Sequence, residues 1–290
     1  MLRQRVPSAI LVVAAALIPA LLGHPVLTVA VVALAVVGVV EFTRAAGEHG
    51  VAILTWICSI SVSAIIVAAG FSGGPGILLG FVVAGSLAVF VGTIWRGIVA
   101  GATRTYAWSI ASIVYIGLPL AHIPLIRDLD RGEVAGWVDS VNELALTDHP
   151  SSGLGWLVLI VACTWITDST AYLGGRAFGR TRLAPMISPN KTVEGGVAGG
   201  LAGMVTGVLV VWALDLSLPL YVAGGLGIIL SIVGQTGDLA ESLIKRDFGI
   251  KDMGNLIPGH GGMLDRIDAL LFSIPAGYYL ILLALEVRWP

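Results

Sequence analysis

The chain has 290 residues, 57% of them hydrophobic and only 12% charged, with a mean hydropathy of +0.94. That charged fraction is about half the ~25% of an ordinary soluble domain, which excludes a water-soluble fold. A formal charge of −2 and a pI near 6.2 exclude a global nucleic-acid footprint, so the basic residues have to be read by position.

The N-terminal stretch MLRQRVPSAILVVAAALIPALLGH places basic residues ahead of an apolar run, as a signal peptide does. Further apolar runs follow at once, and it is read as a retained first helix. Charge-poor runs predict nine spans, at about 8–22, 25–42, 51–70, 76–95, 106–126, 153–175, 194–214, 219–238 and 264–285. Gly23 and Pro25 break the chain between the first two, giving a tight hairpin or a partly interfacial first segment, and leave a count of eight or ten open. Gly50 to Trp95 holds no Asp, Glu, Lys, Arg or His, enough for two helices of ~20 residues. Cys58 and Cys163 lie in apolar runs and are expected to be packing residues. The expected fold is all-α: a polytopic integral membrane protein of about nine transmembrane helices.

Charge asymmetry predicts the orientation. With the N-terminus inside, thirteen of the sixteen Lys and Arg fall on the cytoplasmic side, leaving Arg127, Arg131 and Arg288 outside. The largest outside loop, 127–152, carries Asp128, Asp130, Glu133, Asp139, Glu143 and Asp148 against two arginines. This supports an N-in, C-out arrangement. Residues 1–150 then form variable N-terminal transmembrane helices with an acidic extracytoplasmic loop near 127–152. Residues 151–290 form a catalytic transmembrane region with cytoplasmic loops at 176–193 and 239–263.

Asp168 lies deep in WLVLIVACTWITDSTAYLGG, Asp238 ends the apolar run GIILSIVGQTGD, and Asp265 and Asp268 open the last span. Four carboxylates facing lipid unpaired would cost on the order of 10 kcal/mol, so they need partners. Asp265 and Asp268 stand three residues apart and share a helical face. With Asp238 brought in from another helix, they suit a hard cation such as Mg²⁺, whose other positions go to water and phosphate oxygens. The bland alternative pairs these acids with Arg266, Lys245 and Arg246 as structural salt bridges.

After Pro258, the run Gly259, His260, Gly261, Gly262 permits a tight backbone whose N–H groups can face an anion at the start of the next helix. His260 is a hydrogen-bond donor whose chemical role stays open. In GRAFGRTRLAPMISPNKTVEGG, Ser188, Lys191 and Thr192 stand just before another helix, beside Glu194. An ordinary positive-inside loop would account for Arg176, Arg180 and Arg182, but less well for Lys191. Cations and glycines in two loops, with acids on three spans, make up a polyphosphate and metal site, and no Walker-type Gly-x-x-x-x-Gly-Lys-Ser/Thr occurs.

These residues resemble the phosphatidate cytidylyltransferase (CDP-diacylglycerol synthase) family. The resemblance is carried by SLIKRDFGIKDMGNLIPGHGGMLDRID (Ser242 to Asp268), DSTAYLGGRAFGRTRLAPMISPNKTVEGG and GQTGDLAESLIKR, covering roughly residues 165–285. Asn190 stands where many members have Lys, and Ala269 where Ser commonly follows the last Asp. The resemblance implies a membrane enzyme that joins CTP to phosphatidic acid, giving CDP-diacylglycerol and pyrophosphate in phospholipid biosynthesis. It implies a multi-pass protein of the inner (cytoplasmic) membrane with its site toward the cytoplasm, a homodimer, and no nucleic-acid partner. It implies Mg²⁺ on Asp238 and Asp265, with Asp268 as a third candidate and a second cation left open. Lys245 and Arg246 join the three acids as catalytic candidates. Ser188, Lys191, Thr192, Ser242, Lys251, His260, Gly261, Gly262 and Arg266 are candidates for substrate binding, supported by Asp168 and Glu194. The competing expectation is a cation- or proton-coupled transporter with Asp168, Asp238 and Asp265 as a relay.

Overall fold

The computed structural model describes residues 17–72, 75–146, 148–254, 261–287 and 289. Residues 17–22 are helical, and the rest of the expected first span lies outside the described residues. The helices that follow are α1 (Val26–Glu48), α2 (Thr55–Ser72), α3 (Gly76–Trp95), α4 (Ala102–Ser112), α5 (Leu118–Arg127), α6 (Gly136–Asn142), α7 (Ser151–Phe178), α8 (Val193–Leu214), α9 (Leu220–Asp247) and α10 (Leu264–Glu286). A π turn, Ile113–Gly117, joins α4 to α5 just before Pro119, whose missing N–H leaves the carbonyl four residues back without its helical donor. Two short antiparallel strands, β1 (Arg182–Ala184) and β2 (Ser188–Thr192), lie between α7 and α8.

Among the described residues seven helical segments are long and apolar enough to cross a membrane, with α4 to α5 counting as one, and α2 is a shorter apolar helix. The protein is an all-α polytopic membrane protein apart from the small hairpin. Eight of the nine expected spans coincide with helices.

Two local expectations change. The segment 176–193, expected as a loop, continues α7 to Phe178 and then folds into the hairpin. Asp238, expected at the end of a span, lies inside α9, which runs on to Asp247. Charges end the apolar pattern at Asp238, but Leu, Ala, Glu, Lys and Arg in LAESLIKR are good helix formers, and Lys245 and Arg246 suit the negative end of the helix dipole.

The described residues fall into two compact units. One draws on Met1–Leu125 and Asp247–Ile267, the other on Ile126–Arg246 and Asp268–Pro290. In the first, α1 packs on α2, α2 on α3, and α4 with the π turn closes against them. Phe42, Ile65, Ile66, Val62, Ile113 and Ile116 are fully buried there. Phe248, just past α9, belongs to this core: its ring lies 4.8 Å from Trp108 and 5.8 Å from Phe42, centroid to centroid.

The second unit is organised around α7, α8, α9 and α10. The α8 and α9 backbones meet at Gly203 and Gly227, where a Cβ on Gly227 would lie 2.1 Å from the Gly203 carbonyl oxygen. In lipid, such small-residue crossings replace the hydrophobic effect as a source of helix association. Polar side chains satisfy one another inside this unit, Thr167 with Ser231 at 2.6 Å and Thr164 with Ser273 at 2.8 Å. At the other end of α7, the buried Arg127 guanidinium donates to the Pro150 carbonyl at 2.8 Å and to Asn142 at 2.5 Å, fixing the segment that contains α6.

Candidate functional site

In the second unit the hairpin delivers one cation into a group of acids. Lys191, at the end of β2, lies with Nζ 2.5 Å from Asp238 Oδ2 on α9. Asp168 on α7 is an electrostatic neighbour of both. Asp268 on α10 stands within electrostatic reach of Asp238, Glu241 and Asp168, and α9 reaches it closely enough that a Cβ on Gly237 would lie 2.8 Å from the Asp268 carbonyl oxygen. Three helices and a strand therefore contribute Asp168, Asp238, Asp268 and Lys191, all half-buried. Ser242 Oγ donates to Asp238 Oδ1 at 3.4 Å, one turn further along α9.

The hairpin is held at both ends. Glu194, in the first turn of α8, accepts the backbone N–H groups of Arg180 and Thr181 at 3.0 and 3.1 Å. Thr192 caps the same helix, its Oγ1 accepting the Gly195 N–H at 3.1 Å. Arg246 donates Nε to the Ile187 carbonyl in the turn of the hairpin at 3.1 Å. Ser188 opens β2, half-buried.

Lys245, expected as a catalytic residue, is buried and pairs with Glu241 one turn earlier on α9, itself fully buried. Asp238 thus pairs with Lys191, Lys245 with Glu241, and Arg246 donates to a backbone carbonyl. Glu241 was missed in the sequence. Its signal was legible, since Glu and Lys four residues apart on a helix face each other.

The remaining candidates belong to the first unit. Asp265, in the first turn of α10, accepts the backbone N–H groups of Gly262 and Met253 on the same oxygen, Oδ2, at 2.8 and 2.9 Å. Gly261 has φ +82°, the left-handed region that glycine occupies without strain. Gly262 is buried, while Lys251 and Arg266 are exposed. His260 lies outside the described residues. Glu41 on α1, not singled out in the sequence, is buried beside this loop and accepts the N–H groups of Met263 and Leu264. A carboxylate inside an otherwise apolar run was the signal that could have found it.

The second-unit cluster offers carboxylate oxygens, the ligand type a hard divalent cation takes. Asp168 and Asp268 stand within electrostatic reach of Asp238, whose contact cation is Lys191. The donor set fits Mg²⁺, which takes one or two carboxylates and keeps its remaining positions for water and phosphate.

A family model described as the cytidylyltransferase family matches residues 3–284. The chain is similar to the phosphatidate cytidylyltransferase of Staphylococcus aureus, 42% identical over 125 residues that make up 43% of this chain and 48% of the relative. To the Synechocystis sp. protein of the same name it is 45% identical over 142 residues, 48% of each chain. To that of Staphylococcus saprophyticus it is 44% identical over 130 residues, 45% of this chain and 50% of the other. The matched stretch thus spans about half the length of these curated relatives.

Proposed function

The chain belongs to the cytidylyltransferase family, and from that membership we propose that it transfers the cytidylyl group of CTP to phosphatidic acid, releasing pyrophosphate and leaving CDP-diacylglycerol in the membrane. The structural observation that carries the reading is the Lys191–Asp238 contact among Asp168 and Asp268. In this reading those cationic and carboxylate groups serve a soluble nucleotide and the phosphate of a lipid together.

In this reading a phosphate oxygen of phosphatidic acid attacks the α-phosphorus of CTP, a new P–O bond forms, and the bond to the bridging oxygen of the β-phosphate breaks. The attacking oxygen is already ionised, so no strong general base is required. The chain's work is positioning and charge neutralisation. Asp238 and Asp268 would hold Mg²⁺, with Asp168 adding to the negative field around it, and the resemblance assigns Asp265 to the metal as well. When bound, the ion neutralises phosphate charge and orients the phosphates. Lys191 moves from Asp238 to a phosphate oxygen, and Ser242 keeps Asp238 oriented. Glu194, Thr192 and Arg246 hold the hairpin that carries Lys191 and Ser188. Lys251, His260, Gly261, Gly262 and Arg266 are assigned by the resemblance to the nucleotide, with backbone N–H groups as well as cations for its phosphates. A homodimer in the cytoplasmic membrane, with the site toward the cytoplasm, completes the proposal. A cation- or proton-coupled transporter gains no support from the relatives.

The test is incorporation of label from CTP into organic-soluble lipid by the purified protein supplied with phosphatidic acid. Label should enter lipid only with phosphatidic acid and Mg²⁺ present, with equimolar pyrophosphate released. Absence of labelled lipid from folded protein under those conditions overturns the reading.

A further inference from the structure

Glu41 is 8% exposed and lies on α1, more than two hundred residues from the backbone it binds. Its two oxygens are used symmetrically, Oε1 accepting the Met263 N–H and Oε2 the Leu264 N–H, each at 2.9 Å. These amides stand at the start of α10, where helix N–H groups lack intrahelical acceptors and the dipole favours negative charge. Asp265 binds the neighbouring amides of Gly262 and Met253. Four backbone donors are thus divided between two carboxylates.

The glycines of this stretch fit the same purpose. A Cβ on Gly254 would lie 2.5 Å from Glu41 Oε1, and one on Gly262 would lie 2.8 Å from Oε2 and 2.7 Å from the Gly254 nitrogen. Only hydrogen fits on either residue while the carboxylate reaches the backbone. Leu264, fully buried, anchors the same turn, its side chain 3.2 Å from where a Cβ on Gly38 of α1 would stand.

We propose that Glu41 is a positioning residue of the cytidylyl-transfer reaction: it fixes the backbone of Gly262–Asp265 and so sets how Gly261 and Arg266 are presented to the triphosphate. The role in turnover rests on the function proposed above, whereas the clasp itself does not. A carboxylate is required, because both positions face N–H donors. Glutamine is nearly the same size but offers one acceptor and turns an NH₂ group toward the second amide.

Hydrogen–deuterium exchange and initial-rate kinetics on the full-length protein in detergent test this together. In the wild type the Met263 and Leu264 amides should exchange slowly. Glu41→Gln should speed them and lower kcat/KM for CTP by ~10- to 100-fold, the range expected when reacting groups are displaced by about 1 Å. Gly262→Ala, which keeps Glu41 but crowds it, should give the same kinetic signature. A merely structural Glu41 would instead lower thermal stability and the folded fraction, leaving kcat and KM for CTP unchanged per folded molecule, and that result overturns the proposal. Fast exchange of the two amides in the wild type overturns it as well, whether or not either variant folds. Wild-type protein that makes no CDP-diacylglycerol rejects the function, and the exchange data still decide the clasp.

Discussion

Lys191 and Asp238 touch at 2.5 Å, one at the end of a short hairpin and the other inside a long helix, half-buried on both sides. A cation and an acid that neutralise each other this closely can each be recruited when a polyphosphate arrives with its own charge and counter-ion. Lys191→Met should therefore lower turnover by ~10- to 1,000-fold, the loss seen when one transition-state charge partner is removed. The variant should retain its thermal unfolding midpoint within a few degrees. A near-normal rate from folded Lys191→Met removes the lysine from the chemistry.

Asp238→Asn keeps size and shape while deleting a charge from the acid cluster. Product formation should be abolished, and excess Mg²⁺ should recover little, because the missing ligand also positions the ion. Asp265→Asn should behave alike, although its carbonyl oxygen can still serve the two amides that Asp265 now holds. Substantial activity in both variants, with an unchanged Mg²⁺ requirement, places the metal elsewhere.

The positions of the spans were legible because membrane thickness sets the length of an apolar run, and eight runs coincide with helices, most of them ending within a few residues of expectation. The end of α9 was not legible by that rule: hydropathy stops at Asp238, whereas hydrogen bonding and helix propensity continue to Asp247. The candidate residues were visible as unusual charges in an apolar chain, but their partners were not, since the Lys191–Asp238 contact joins residues 47 positions apart in sequence. Glu41 was hidden for a related reason. An acid near the end of an expected span reads as a boundary residue until the backbone it binds is known.

Packing makes a separate prediction. Gly227→Ala would set a methyl group 2.1 Å from the Gly203 carbonyl oxygen, forcing α8 and α9 apart. Overpacking of this kind costs about 1 to 3 kcal/mol. The thermal midpoint in detergent should fall, whereas Gly200→Ala, with nothing within 4 Å of the added carbon, should leave it unchanged.

The expected orientation can be read with one introduced thiol. Cys58 and Cys163 are both fully buried, so they should stay silent toward an impermeant maleimide, and Glu143→Cys offers an exposed site in the segment expected outside. Labelling from the exterior of intact cells supports N-in, C-out; labelling only after the cytoplasmic side is opened reverses it.

The last prediction separates two roles for Lys245. The sequence marks it as a catalytic cation, but it is buried against Glu241, which is itself fully buried, one turn away on the same helix. Removing one partner of a buried ion pair typically costs about 3 to 5 kcal/mol, because the other charge stays behind in a low-dielectric site. Lys245→Met alone should therefore reduce thermal stability and yield, and its loss of activity would carry no information about chemistry. Lys245→Met combined with Glu241→Gln removes both charges and should restore much of the stability. The activity of the double variant then decides between the roles. A folded double variant with turnover near the wild type makes Lys245 a structural partner of Glu241, whereas a folded variant that has lost turnover by ~100-fold or more assigns the lysine to the departing pyrophosphate.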